Sequence, residues 1–301
     1  MKLGAKKVGG LSGSAAGALA AAMAEEGVSA RDLGEEKGGA TATIAAARAA
    51  AEAAAADQAS VAIEERVAVR LSRDGGCVSM EVKGSMTLNV NDEAAARLKV
   101  VLDRGDDKAF QYQNHPNVNK ALFASDGVVA LKAIDRPFPT ATPVGILRWR
   151  YTNKDDDAGQ VPLLITCWPE EGAGGNMNVN LEYTLQAGIT LSDLVISLPL
   201  GTDATPRVNS CDGVWKHNSR ENMLAWRVDS VNSDNGTGTL EFTIKGKNVD
   251  AFFPVSVSFS STDSLNPVSV ESVIPADSAP GDKALRFSAT KILQTDEYIV
   301  E

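Results

Sequence analysis

Apolar residues recur at every second position through most of this chain, the period of a strand with one face buried. Val61, Ile63, Val67, Val69 and Leu71 alternate with Ala62, Glu64, Arg66, Ala68 and Arg70, with a polar interruption at Glu65. Arg73-Asp74-Gly75-Gly76 supplies a turn. The alternation then moves to even positions, Val78, Met80, Val82, Met86, Leu88 and Val90, with Gly84 as a bulge or a point of close approach. A third run, Leu98 to Leu102, precedes a turn over Asp103–Asp107, so the core is expected to begin as antiparallel β. His115 to Phe123 reads as a loop entering a short apolar segment, and Ser125-Asp126-Gly127 turns the chain into Val128–Leu131.

Further on, Val179, Leu181, Tyr183 and Leu185 repeat the pattern, as do Leu194, Ile196 and Leu198. Leu240, Phe242 and Ile244 form another such face, followed by Phe253, Val255, Val257 and Phe259. Asp212-Gly213 and Asn235-Gly236 carry the dipeptide signature of tight hairpins. About fourteen short strands with almost no helical periodicity predict an all-β fold built of sandwiches. The stretch Arg136–Pro169 is read as a seam: a Pro-rich entry (Pro137, Pro139, Pro143), then strand-like runs Gly145–Tyr151 and Val161–Trp168 joined by an acidic loop. Trp149 and Trp168 are expected to anchor that junction.

Residues 1–60 break the pattern. Ala and Gly fill about half of these positions, and the first aromatic residue of the chain is Phe110. Ala45–Ala56 has high helix propensity but almost no large apolar side chain to dock. Burial so small does not offset about 1–2 kcal/mol of backbone entropy per residue, so the segment is read as a flexible Ala/Gly-rich linker.

Composition narrows the function classes. The formal net charge is −10, which argues against nucleic acid as a partner. Three widely spaced cysteines, Cys77, Cys167 and Cys211, suit a reducing compartment better than a disulfide framework. His115 and His217 are the only histidines, too far apart for a local metal motif, and there is no nucleophile elbow, so both read as structural or surface residues. Asp155-Asp156-Asp157 lacks calcium-loop spacing and reads as a solvated turn. No metal and no cofactor are expected, and catalysis has no foothold. Trp149 and Trp226 read as core residues, whereas Trp168 and Trp215, beside turns, fit core or binding roles equally.

Eight segments taken together carry a resemblance. CVSMEVKGSMTLNV, FQYQNHPNVNKALF, FPTATPVGILRWRY, VPLLITCWP, NVNLEYTL, CDGVWKHNSRENMLAW, TGTLEFTIKG and FFPVSVSFS resemble, in order and spacing, the μ-homology domain of the coatomer δ subunits, within the adaptor medium-subunit family. The resemblance implies an elongated pair of β-sandwich subdomains, the second inserted into the first: subdomain A at about 61–165 and 253–301, subdomain B at about 166–252. It implies a non-enzymatic part of the COPI vesicle coat, acting in Golgi-to-ER and intra-Golgi transport on the cytosolic face of Golgi membranes. The implied partners are the β-, γ- and ζ-COP subunits and short tryptophan-based acidic peptides of tethering and accessory proteins. The family's longin-like domain has no counterpart ahead of the linker, so a fragment or reduced form is expected. A tryptophan-motif site needs apolar slots, a polar partner for each indole N–H and cations for flanking acids. His115, Asn117, Lys120, Phe123 and Lys132 combine these groups in one short stretch and are expected to border such a slot. A clathrin-type medium chain reading Tyr-based signals by strand addition, or a carbohydrate-binding sandwich, are the alternatives.

Overall fold

The computed structural model describes residues 57–105, 109–153, 160–186, 188–279 and 281–301. The expected linker lies almost wholly outside these residues, as does the acidic loop Asp155–Asp157. The chain is built from strands β1 (Ala59–Leu71), β2 (Cys77–Val90), β3 (Leu98–Asp103) and β4 (Gln111–Asn114), then helix α1 (Lys120–Asp126), then β5 (Val128–Val129) and β6 (Val144–Thr152). After these come β7 (Leu163–Gly172), β8 (Asn176–Leu185), β9 (Leu191–Pro199), β10 (Arg207–Cys211) and β11 (Val214–Asn218). The last five are β12 (Met223–Val231), β13 (Thr237–Lys245), β14 (Val255–Ser261), β15 (Ser269–Pro275) and β16 (Phe287–Val300). No helix among the described residues is long and apolar enough to cross a membrane.

The strands form three sheets: nine strands in the order β11-β12-β9-β14-β16-β1-β2-β6-β4, four in the order β10-β13-β8-β7, and three in the order β15-β3-β5. Pairing is antiparallel except between β1 and β16, which run parallel. Strands β7–β13 lie between β6 and β14 in the chain. Of these, β9, β12 and β11 extend the nine-stranded sheet beyond β14, while the other four make the four-stranded sheet.

Alternation explains the core. Every odd position of β1 is buried, Glu65 included, because period-two geometry gives it no other side to face. Glu65 is therefore not an interruption but a carboxylate in core phase. The expected inward Val78 is corrected: it is 64 % exposed. The register slips between Arg70 and Leu71, which places Cys77 opposite Leu71 and restores phase only from Met80. At Gly84 the close approach is real, since a Cβ there would sit 2.1 Å from the Trp149 indole.

Two expected hairpins are crossings instead. Asp212-Gly213 carries the chain from β10 in one sheet to β11 in the other, and Asn235-Gly236 carries it from β12 back to β13. Neither Asn235 nor Gly236 adopts the positive φ that a two-residue type I′ turn requires. The Asn235 amide instead ties the loop, donating to Ser230 O at 2.7 Å and accepting from Asn232 N at 2.8 Å.

Between β6 and β7 the chain likewise changes sheets, as expected of the seam. Tyr298, fully buried, receives a hydrogen bond from Leu163 N–H and donates one to Leu163 C=O at the crossing. Two of the three tryptophans on the nine-stranded sheet are core, Trp149 at 3 % and Trp226 at 0 % exposed, whereas Trp215 on β11 is 38 % exposed. Each core indole buries about 150–250 Å², about 4–6 kcal/mol of apolar transfer. Trp226 Nε1 donates to Asp212 O at 2.7 Å. Trp168 departs from its expected anchoring role: it lies on the outer face of β7 and is 49 % exposed.

A candidate peptide-binding cavity

β4 is the terminal strand of the nine-stranded sheet, and the chain leaving it folds back through a short backbone ladder. His115 N–H donates to Ile146 O at 3.1 Å, Asn119 N–H to Ala130 O at 2.9 Å, and Lys132 N–H to Asn117 O at 2.9 Å. Residues 117–119 are thus held against 130–132, with α1 closing the excursion between them. The expected loop over 115–123 is corrected at its second half: Lys120–Asp126 is helical. Asn119 caps the start, its Oδ1 accepting from Ala121 N and Leu122 N. Gly127, at φ 68, caps the end in the left-handed region.

This fold-back and the Pro-rich segment enclose a cavity of about 400 Å³, within the range of small-ligand pockets. Its apolar wall comes from Val118, Leu131, Phe138, Val144 and Ile146; its polar rim comes from His115, Asn117, Lys132 and Arg136. Phe138 is buried, and its N–H donates to Ala96 O at 2.8 Å, which fixes the Pro-rich strip as one side of the slot. His115 Nδ1 accepts from Asn117 N–H at 3.2 Å, so the neutral ring carries its proton on Nε2 as a donor. Neither Lys132 nor Arg136 is in an ion pair among the described residues. Both cations are therefore available to an incoming acid.

A second cavity of about 260 Å³ lies against the first and shares His115; Asn114, Gly145, Leu147 and Arg148 help to line it. The Asn114 amide nitrogen is buried there with no hydrogen-bond partner.

Of the five residues expected at the slot, the structure brings His115, Asn117 and Lys132 together and leaves two elsewhere. Phe123 is 5 % exposed, its ring 5.5 Å from Tyr112 and under the Arg104 guanidinium, so it supports α1 from inside rather than walling the cavity. Lys120 is exposed at the start of α1 and not on the cavity wall. Arg136 escaped the sequence reading because the prolines around it drew attention to backbone shape; a cation beside an apolar, Pro-fixed strip was the available signal. Among the described residues no cluster of His, Cys, Asp and Glu could hold a metal ion.

Residues 45–301 match the model of the adaptor complexes medium subunit family. The chain is 36 % identical over 221 residues to the probable coatomer subunit delta of Caenorhabditis elegans, covering 73 % of this chain and 42 % of that protein. It therefore spans less than half the length of that relative. Among solved structures it is similar to the yeast δ-COP-I μ-homology domain, with a TM-score of 0.71 and 27 % identity over 81 % of this chain and 98 % of that one. A second structure of the yeast domain, complexed with a Dsl1 WxWxV peptide, matches with a TM-score of 0.70 and 26 % identity over the same shares. A family model covering most of the chain, a coatomer δ relative and a matching μ-homology fold agree: the chain belongs to the adaptor complexes medium subunit family, a family of coat subunits rather than enzymes.

Proposed function

We propose that this chain acts in the COPI coat as a peptide-capturing module, binding short tryptophan-based acidic motifs of tethering and accessory proteins. The coatomer δ relatives support the coat setting; the partners would be β-, γ- and ζ-COP, the process Golgi-to-ER and intra-Golgi transport, and the location the cytosolic face of Golgi membranes. Residues 166–252 would form the inserted subdomain, in keeping with the continuous run of β7–β13 between β6 and β14.

One observation carries the binding reading: an apolar cavity rimmed by a histidine donor and two cations that are in no ion pair among the described residues, with a second cavity beside it. Two tryptophans separated by one residue in an extended peptide point the same way, about 7 Å apart. In this reading they enter the two cavities on either side of His115, and the paired motif bound in the yeast complex supports it. His115 and Asn114 offer polar partners near the slots, and Lys132 and Arg136 meet the flanking acids.

The test is a fluorescence-anisotropy titration with a labelled acidic peptide bearing two tryptophans. Charge reversal of Lys132 and Arg136 together should weaken binding about tenfold or more, at about 1.4 kcal/mol per decade. Lys120→Glu should leave it near wild type. Equal affinity in all three proteins would sink the placement, and tighter binding of a Tyr-x-x-apolar peptide would favour a clathrin-type cargo reader.

A further inference from the structure

The nine-stranded sheet ends on β4, beside the peptide cavities, and at its other margin on β11. β11 has one hydrogen-bonded neighbour, β12, with Val214 opposite Arg227 and Asn218 opposite Met223. The register decides which of its backbone groups are left over. Leu200 N–H donates to Asn222 O at 2.8 Å, and Pro199, opposite Met223, has no N–H to give. Bonded and non-bonded pairs alternate along an antiparallel ladder. Asn222, Leu224 and Trp226 therefore turn their backbone groups to β9, while Met223, Ala225 and Arg227 turn theirs to β11. Asn218, Lys216 and Val214 complete that ladder. The N–H and C=O groups of Trp215 and His217 are left aimed away from the sheet.

Side chains sort by the same alternation. Trp215 lies opposite Trp226 and His217 opposite Leu224, so both face the inside of the sandwich at its margin. Trp215 is nonetheless 38 % exposed, and His217 Nε2 is shielded from solvent with no hydrogen-bond partner. A polar atom in that state is a standing cost that a matching group relieves. On the outer face Val214 is 68 % exposed, with Lys216 two residues on and Arg227 across from it. Neither cation is in an ion pair among the described residues; Asp229, the outward carboxylate of β12, lies one step beyond Arg227. Edge strands are commonly guarded by a proline, a bulge or a charge. β11 has no proline and pairs without a register shift, so Lys216 is its one guard, and exposed Val214 and Trp215 precede it.

We propose that β11 accepts an added strand from a partner protein, an extended segment in which apolar or hydroxyl residues alternate with acids. Four outward backbone groups on alternate residues are what an antiparallel guest strand needs for two bonded pairs. The guest residues opposite Trp215 and His217 would face inward, so an apolar side chain covers the indole and a hydroxyl comes beside the imidazole. The residues between them would face outward, where an acid lies directly across from Lys216 and a second one beside Val214, toward Arg227. A guest of the opposite charge would meet two cations, and a wholly apolar one would leave them without a partner. This edge shares no residue with the peptide cavities and needs no tryptophan in the guest.

The experiment titrates the full chain with a fluorescein-labelled, end-capped Gly-Thr-Glu-Val-Glu-Gly peptide, read by anisotropy. Saturable binding is expected. The net charge of −10 repels an acidic peptide, so such binding reports local recognition rather than bulk attraction. His217→Pro and His217→Ala remove the same imidazole, but only proline removes the outward N–H, and it spares every bond between β11 and β12. The proline variant should therefore bind about tenfold weaker than the alanine variant. Lys216→Glu combined with Arg227→Glu should weaken binding about fivefold or more, and the isomer Gly-Glu-Glu-Val-Thr-Gly, which breaks the alternation, should bind wild type about fivefold weaker. The charge pair is surface-borne, so it keeps the test valid if proline lowers the urea midpoint. All variants should bind the acidic tryptophan peptide like wild type, which separates this result from the peptide-cavity reading. Absence of saturable binding overturns the proposal, as does equal binding by the two His217 variants. Sedimentation showing a dimer that His217→Pro dissolves would assign the edge to a second copy of the chain instead.

Discussion

At the scale of single residues, Glu65 shows what a strand's alternation can force. Its carboxylate is 1 % exposed and accepts from Trp149 Nε1 at 2.7 Å, Leu265 N at 2.7 Å and Asn266 N at 3.2 Å. Burial holds this carboxyl above its ordinary value of 4.5, and those donors, with the Lys291 charge, recover only part of the shift. Between 4.5 and the raised folded value, the folded protein therefore binds more protons than the unfolded chain. The stability this group contributes is complete below 4.5 and is lost as pH rises through the folded value. Glu65→Gln removes the titration and turns an amide NH₂ toward one of the backbone donors, so it should cost about 1–3 kcal/mol at neutral pH. The wild type's advantage should then widen as pH is lowered toward 4.5. Urea denaturation of both proteins across that range checks this; a gap independent of pH would refute it.

At the scale of elements, α1 is the piece on which the cavity depends. Seven residues are too few for a helix to stand alone, so its two caps and the 117–119/130–132 ladder hold it. Asn119→Ala should cost about 1 kcal/mol and also weaken binding of the acidic tryptophan peptide, because the same ladder presents His115, Asn117 and Lys132. Denaturant melts and peptide titration on one sample check both; lost stability with unchanged affinity would uncouple the cap from the site. The strands themselves were legible, since Leu240, Phe242 and Ile244 or Val179, Leu181 and Tyr183 announce a buried face by period alone. KALFASD was not, being shorter than two helical turns. Nor was the partner sheet of each strand. Asp212-Gly213 looks like a hairpin locally, and only tertiary packing sends β11 to a different sheet from β10. Glu65 misled for a similar reason: its donors lie 84 and 200 residues away. Three of the five expected residues, His115, Asn117 and Lys132, line one cavity because they are close in sequence and paired by backbone. Phe123 and Lys120 do not line it, because a helix rotates successive side chains by about 100°.

At the scale of the whole described body, the nine-stranded sheet decides how the molecule comes apart. β14 pairs on one side with β16, through Val255–Val300, and on the other with β9, through Val257–Ile196. Strands from the stretch between β6 and β14 thus share a continuous sheet with the strands outside it. Buried residues from both, Leu181 and Trp226 among them with Val67 and Leu147, belong to one hydrophobic cluster. Unfolding β7–β13 alone would strip β14 of a neighbour and open that cluster to water, which costs more than a separable domain would pay. The chain should therefore melt in one transition, with calorimetric and van't Hoff enthalpies equal. At about 0.7 kcal/mol per residue over the roughly 240 residues from β1 to β16, that enthalpy should be roughly 170 kcal/mol near ~60 °C. Trp149 in β6 and Trp226 in β12 report on opposite ends of the sheet. Variants that retain one or the other as the only buried tryptophan should give coincident midpoints. Two separated midpoints would show instead that the inserted strands unfold on their own, and that the pairing of β14 with β9 is too weak to couple them.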